Sequence, residues 1–219
     1  MTLAIVTPLY RGPSERPLEV ARLHDYHADV VKRAGLTAAE QPAELYCNTD
    51  LIRARSRALC TVYRAGFDHL LFWDADVGGP PEQVAHCLSQ MMGACDLAHC
   101  EYPKRGGGWS AHGVSEYDAT KTEFTLARYV TMGFTLISRE CMRAVLESEA
   151  AARVAYEDHY DGQWHVDAAV FALIIAPSDT PDGKKGLLLE EGYSFCERAA
   201  WVGIKPMLYV GEGCRLAHG

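Results

Sequence analysis

His69-Leu-Leu-Phe-Trp-Asp-Ala-Asp-Val-Gly-Gly-Pro-Pro81 is the stretch on which the fold turns. Its first part is too short for a helix and rich in large apolar groups. It ends at a Gly-Gly-Pro-Pro breaker, so it reads as a buried strand over 69–73 that stops abruptly. Asp74 and Asp76, separated by Ala75, therefore fall at the C-terminal edge of that strand. Ligands of open α/β sheets bind outside this edge. Two carboxylates placed there suit a divalent cation and the anionic substrate that it carries.

Outward from this strand, short apolar runs alternate with amphipathic segments. Strands are expected at 3–7 and 44–47, and helices at 17–34 and 49–65. A further helix is expected from Pro81, where proline fits the first turn and Glu82 complements the dipole. This βαβ order predicts an α/β fold with a mostly parallel central sheet flanked by helices. With 219 residues and 48% hydrophobic content, one domain spanning 1–219 is expected. The segment 102–121 reads as a long surface loop or hairpin beside the sheet edge, a position suited to binding. Beyond it come a strand over 134–138, a helix over 140–150 and a polar, aromatic stretch over 156–165. A turn-rich segment over 177–186, a helix over 191–202 and a strand over 207–210 complete the pattern.

A net charge of −8 argues against a global attraction to nucleic acid or anionic lipid, leaving local basic groups at Arg53, Arg57, Lys104-Arg105 and Lys184-Lys185. Residues 1–7 read as a first strand without a basic leader. The longest apolar run, 168–177, is well short of the ~20 residues of a spanning helix, so a cytoplasmic protein is expected. The eight cysteines form no CxxC pair. The grouping of His86, Cys87, Cys95, His99 and Cys100 matches no common zinc spacing, and buried free thiols are expected.

Periodicity also shows polar groups where apolar ones belong. On the 49–65 helix, Leu51, Ile52, Ala58, Leu59 and Val62 define the apolar face. Arg55 projects from its centre, while Arg53 and Arg57 point away. A buried guanidinium requires a partner: either a structural carboxylate, or a phosphate or the acids at 74 and 76. Glu191 shares the inward face of its helix with Phe195, Ala199 and Val202. A carboxylate there can serve the helix dipole, or bind a sugar hydroxyl and move its proton. Asp167 lies within an apolar stretch where a charge needs a reason, and His218 is a lone histidine close to residue 219.

Taken in order, these residues resemble glycosyltransferases of the GT-A fold, especially compact bacterial and phage-encoded ones. Ile5-Val-Thr-Pro-Leu-Tyr10 is similar to the strand and loop that hold the nucleotide base, and Leu51-Ile-Arg-Ala-Arg-Ser56 to the helix whose arginine faces the nucleotide. Leu70-Leu-Phe-Trp-Asp-Ala-Asp-Val77 resembles the strand ending in the DxD metal motif. Tyr102-Pro-Lys-Arg105, Met132-Gly-Phe-Thr-Leu-Ile-Ser-Arg139, Glu190-Glu-Gly-Tyr-Ser-Phe-Cys196 and Leu216-Ala-His-Gly219 follow in the family's order.

The resemblance implies a donor that is a UDP- or GDP-linked sugar, with Thr7, Pro8, Tyr10, Arg55, Asp74, Ala75 and Asp76 on the nucleotide. It implies Mn²⁺ or Mg²⁺ held by Asp76 directly, with Asp74 reaching the ribose or the metal's water shell and His218 completing the coordination. Lys104, Met132, Gly133 and Glu191 fall on the sugar and acceptor side. Where relatives often read Glu-Asp, this chain reads Glu191-Gly192, which places the catalytic base at Glu191 or, as a weaker candidate, Asp167. Implied acceptors are a hydroxyl of a glycan, a protein or a modified phage DNA base. A nucleotidyltransferase shares this logic and remains the alternative, as does a binding-only relative. A phosphohydrolase fits Val77-Gly78-Gly79 poorly.

Overall fold

The computed structural model describes residues 1–9, 17–36, 43–46, 50–115, 123–160, 162–177, 186–212 and 214–218. Tyr10, Lys184 and Lys185 lie outside them. In chain order the elements are β1 (Leu3–Leu9), α1 (Pro17–Arg33), β2 (Ala43–Tyr46), α2 (Leu51–Arg64), β3 (His69–Trp73), β4 (Val77–Gly78) and α3 (Pro81–Met91). There follow β5 (Leu97–Cys100), β6 (Ala111–His112), β7 (Phe124–Leu126), β8 (Tyr129–Val130), β9 (Phe134–Ser138), α4 (Arg139–Leu146) and α5 (Glu149–Ala152). The chain continues with β10 (Ala155–Tyr160), β11 (Gln163–Ala168), β12 (Ile175–Pro177), β13 (Gly186–Leu188), α6 (Glu191–Trp201), β14 (Met207–Tyr209) and β15 (Ala217–His218).

Seven strands form the central sheet in the order β2-β1-β3-β9-β5-β14-β7. Strands β2, β1 and β3 are parallel, as are β5 and β14, while β9 lies antiparallel between β3 and β5, and β7 is antiparallel at the edge. Most strands therefore run one way, as the βαβ order requires. The inserted β9 was not readable from that order, because its direction is set by the long excursion from 101 to 133 that precedes it.

Side chains alternate across the sheet and build two core layers. Ala4, Val6, Leu70 and Phe72 face α2, α4 and α6 through Leu59, Val62, Met142, Val145, Phe195 and Ala199. Leu3, Ile5, Leu71 and Trp73 face α1 and α3 through Val30, Val31, Val84, Leu88 and Met91. Both faces are thus covered by helices, which explains why the 69–73 run is apolar throughout rather than alternating.

Local chemistry refines the element boundaries. Helix α2 starts at Leu51 because Asp50 accepts a hydrogen bond from the Arg53 amide at 3.1 Å. The expected helix over 140–150 divides into α4 and α5, since Ser148 caps a new turn by accepting from the Ala151 amide at 3.2 Å. The stretch over 156–165 belongs to the antiparallel hairpin β10/β11. Cys60, Cys100, Cys141 and Cys196 are buried free thiols. Among the described residues no group of three or more His, Cys, Asp or Glu side chains is arranged to hold a metal. His99 is instead held between Thr135 Oγ1 and Ser110 Oγ, each at 2.8 Å. No helix among the described residues is long and apolar enough to cross a membrane.

Two expectations follow from this packing. Phe171 stacks on Phe195 at 4.7 Å and meets Phe72 edge-on at 5.5 Å, joining sheet and helix layers. Phe171→Ala should cost about 3–5 kcal/mol, read as a lower urea midpoint with an unchanged slope. On the other face His27 of α1 lies on the Trp73 indole at 4.1 Å with no partner for its Nε2 among the described residues. Burial, and secondly His24, push its pKa down to about 3. The unfolded chain thus binds the proton more readily. Stability is fully present above the ordinary histidine value of about 6.5 and is lost as pH falls from there toward 3. His27→Phe should flatten this acid limb by about 1.4 kcal/mol per pH unit, measured by urea unfolding across that range.

Candidate active site

Asp74 and Asp76 sit in a tight turn built by the end of β3. The Val77 amide donates to the Asp74 carbonyl at 3.0 Å, closing a four-residue turn, and the Trp73 indole donates to the Val77 carbonyl at 2.7 Å. The Asp74 amide donates to the Gly133 carbonyl at 2.8 Å, extending the β3/β9 ladder by one rung. The turn is thus fixed by backbone bonds on both sides, leaving both carboxylates for other partners.

Arg55 supplies one of them. It is only 3% exposed, and its two terminal nitrogens donate separately, one to Asp74 Oδ1 at 2.8 Å and the other to Glu191 Oε1 at 2.7 Å. Burial by itself would lower the guanidinium pKa, but the charges of Asp74 and Glu191 outweigh it, and the net shift is upward. The off-pattern arginine of α2, the first acid of the turn and the first residue of α6 therefore form one cluster.

Asp76 points to a different group. Its Oδ2 lies 3.2 Å from His218 Nε2 and 2.6 Å from Arg105 Nη2. His218 reaches it because β15 pairs antiparallel with β4, setting His218 opposite Val77. The His218 Nδ1–H donates to the Pro103 carbonyl at 2.8 Å, which turns the other ring nitrogen, Nε2, toward Asp76. Asp74 pairs with Arg55, while Asp76 and His218 are brought together beside it.

Glycines account for the close approaches. A Cβ at Gly133 would lie 2.0 Å from Tyr102 Oη and 3.1 Å from Asp74 Oδ2. Tyr102 Oη accepts from the Gly133 amide at 3.0 Å and bonds Thr131 Oγ1 at 2.7 Å. Burial, then the Asp74 charge, raise its pKa, keeping the phenol protonated. At Gly192 a Cβ would meet the Val130 carbonyl at 3.1 Å and Thr131 Cα at 3.2 Å. The departure from Glu-Asp thus has a packing reason: this backbone leaves no ordinary space for an aspartate there.

The remaining expected residues are dispersed. Thr7 and Pro8 are buried near the C-terminal end of β1, beside β3, and Thr7 Oγ1 has no partner among the described residues. Ala75 is exposed in the turn, whereas Met132 is fully buried. Lys104 bonds Glu190 at 3.1 Å and lies 5.6 Å from the Tyr193 ring centroid. Asp167 is not part of the cluster. It pairs with Arg64 at 2.7 Å and accepts from Tyr160 Oη at 3.2 Å, and Arg64 is two and a half turns from Arg55 along α2, about 13 Å. Its burial is answered by this ion pair. Arg105 and Tyr102 stand in the site although spacing did not single them out; the only signal was their place in the Tyr102-Pro-Lys-Arg105 stretch.

No protein-family model matches the sequence, and no curated protein matches it. Solved structures do. A Drosophila beta-1,4-galactosyltransferase 7 mutant in complex with manganese, UDP-Gal and xylobiose is similar with a TM-score of 0.50 and 15% identity, covering 99% of this chain and 70% of that one. A protein from STIV gives a TM-score of 0.49 and 14% identity, covering 95% and 81% of the two chains. A UDP-glucose pyrophosphorylase complexed with UDP-glucose gives 0.47 and 9%, covering 100% and 92%. At such identities likeness speaks to fold alone, and the galactosyltransferase comparison carries it. The chain has the GT-A, nucleotide-diphospho-sugar transferase fold, with its acidic turn at the edge where such α/β sheets bind ligands.

The Gly133 contact yields a sharp expectation. Gly133→Ala should lower stability by about 1–3 kcal/mol through overpacking against Tyr102. A double-mutant cycle with Tyr102→Ala should give a coupling of about 1 kcal/mol or more, and additivity of the two changes would show that the contact is not the cause.

Proposed function

We propose that the protein is a divalent-cation-dependent glycosyltransferase that moves a sugar from a nucleotide-diphosphate sugar to an acceptor hydroxyl. The observation that carries this reading is the approach of His218 Nε2 to Asp76 Oδ2 at 3.2 Å, with the other imidazole nitrogen committed to the Pro103 carbonyl. A carboxylate oxygen and an imidazole nitrogen brought this close are a donor pair that would suit one divalent cation. A carboxylate with an imidazole favours Mn²⁺ over Mg²⁺.

Each residue then has a task. Asp76 and His218 would hold the cation, which would supply Lewis-acid stabilisation of negative charge on the diphosphate leaving group. Arg55 pairs with Asp74, which borders the ribose side. Through its second nitrogen Arg55 also holds Glu191, which remains 26% exposed and is the group available to orient an acceptor hydroxyl or take its proton. Thr7 Oγ1, without a partner among the described residues, borders the nucleoside side of the same edge with Pro8. Support for UDP as the first base to test comes from the UDP-Gal complex of the similar Drosophila enzyme.

A thermal-shift screen of UDP and GDP with and without Mn²⁺ tests the reading: stabilisation should require cation and nucleotide together. With a UDP- or GDP-sugar as substrate, the product should be nucleoside diphosphate, whereas release of pyrophosphate from a nucleoside triphosphate and a sugar 1-phosphate would assign the fold to nucleotidyl transfer instead. Asp76→Asn and His218→Ala should each reduce turnover by about 10²-fold or more, on the scale of lost electrostatic transition-state stabilisation. Full metal-dependent activity in Asp76→Asn would remove the basis of the proposal.

A further inference from the structure

Loop 103–109 brings two cations to the site from one side. Arg105 Nη2 sits 2.6 Å from Asp76 Oδ2, and Lys104 Nζ sits 3.1 Å from Glu190 Oε2, at the start of α6. The base of the loop is held firmly: Pro103 pairs with Trp109, Pro103 also accepts from His218, and Arg215 lies 4.8 Å from the Trp109 ring centroid. Its tip is closed by backbone hydrogen bonds, the Lys104 amide to the Gly108 carbonyl and the Gly107 amide to the Lys104 carbonyl, each at 3.0 Å. Gly107 and Gly108 have φ of +87° and +81°, a Cβ added at either would meet nothing within 4 Å, and the Arg105 side chain is 69% exposed. An ion pair this exposed contributes only about 0–1 kcal/mol, so the tip can exchange partners at little cost.

The same carboxylate oxygen that approaches His218 is therefore already neutralised by a guanidinium. A divalent cation bound by Asp76 and His218 would stand against that guanidinium and repel it. A diphosphate arriving with the cation offers the displaced arginine a planar, bidentate partner. We propose that Arg105 is an exchange residue: it occupies Asp76 before loading and transfers to the diphosphate on loading, so that cation and nucleotide bind cooperatively and the cation alone binds weakly. This rests on the proposed nucleotide-sugar site and adds to it a positioning residue that couples the two ligands.

The test is isothermal titration of wild type, Arg105→Ala and Lys104→Ala with Mn²⁺ alone, then with UDP and with GDP at saturating Mn²⁺. Removing Arg105 should tighten Mn²⁺ binding about two- to fivefold, the worth of an exposed ion pair. It should weaken nucleotide binding about tenfold, the loss of one charge-assisted hydrogen bond. Lys104→Ala should leave affinity for Mn²⁺ alone unchanged; equal tightening in both variants would reduce the effect to general charge removal and overturn the proposal. Unaltered binding in Arg105→Ala, with or without a lower melting temperature of the free protein, would also overturn it while leaving the site's function standing. A wild type that binds neither Mn²⁺ nor either nucleotide would instead overturn the reading of the site itself.

Discussion

The buried guanidinium of Arg55 is the constraint around which the site is arranged. A charge that is 3% exposed must be neutralised, and its two terminal nitrogens reach acids from different parts of the chain, Asp74 after β3 and Glu191 at the start of α6. One residue of α2 thereby sets the separation between the acidic turn and α6. The phenyl ring of Phe72, 5.8 Å from the guanidinium carbon, belongs to the apolar layer beneath it. Arg55 thus stands at the boundary between a dry core and the sheet edge, where its partners stay about a quarter to a third exposed.

The second acid of the turn is served by a separate arrangement. A short pairing of β15 with β4 carries His218 across to Asp76, and the Leu216 amide secures the approach by donating to the Glu101 carbonyl at 2.9 Å. Asp74 and Asp76 are close neighbours in sequence yet belong to different electrostatic groups, one answered by Arg55 and the other by His218 and Arg105. Backbone hydrogen bonds and the Trp73 indole hold the turn between them, so neither group has to define its shape. Gly133 and Gly192, two glycines with crowded surroundings, let Tyr102 and α6 approach this turn and its neighbouring strand.

Much of the fold was legible because burial leaves a periodic trace. The uninterrupted apolar run at 69–73 reported a strand covered on both faces, and the helical period exposed Arg55 as a charge on an apolar face. The same reasoning marked Asp167, but periodicity detects only that a charge is buried, and its ion pair with Arg64 depends on hairpin β10/β11 folding back onto α2. Glu191-Gly192 showed as a departure from a pattern, while its cause, the backbone of Val130 and Thr131 pressing on residue 192, lies far away in the chain. Arg105 showed only through its place in the Tyr102-Pro-Lys-Arg105 stretch, because an exposed arginine in a glycine-rich loop has no periodicity to break.

The sequence by itself determined which residues are buried, which segments become strand or helix, and that two acids stand where an apolar strand ends. These properties follow from local hydrophobic spacing and from turn chemistry, which act over a few residues. Only the tertiary structure decided how the charges are divided among partners: Arg55 between Asp74 and Glu191, Asp76 between His218 and Arg105, and Asp167 with Arg64. Ion pairing acts through space over a few ångströms. It is therefore set by which elements the fold brings together, here including the insertion of β9 between β3 and β5 and the return of β15 to β4.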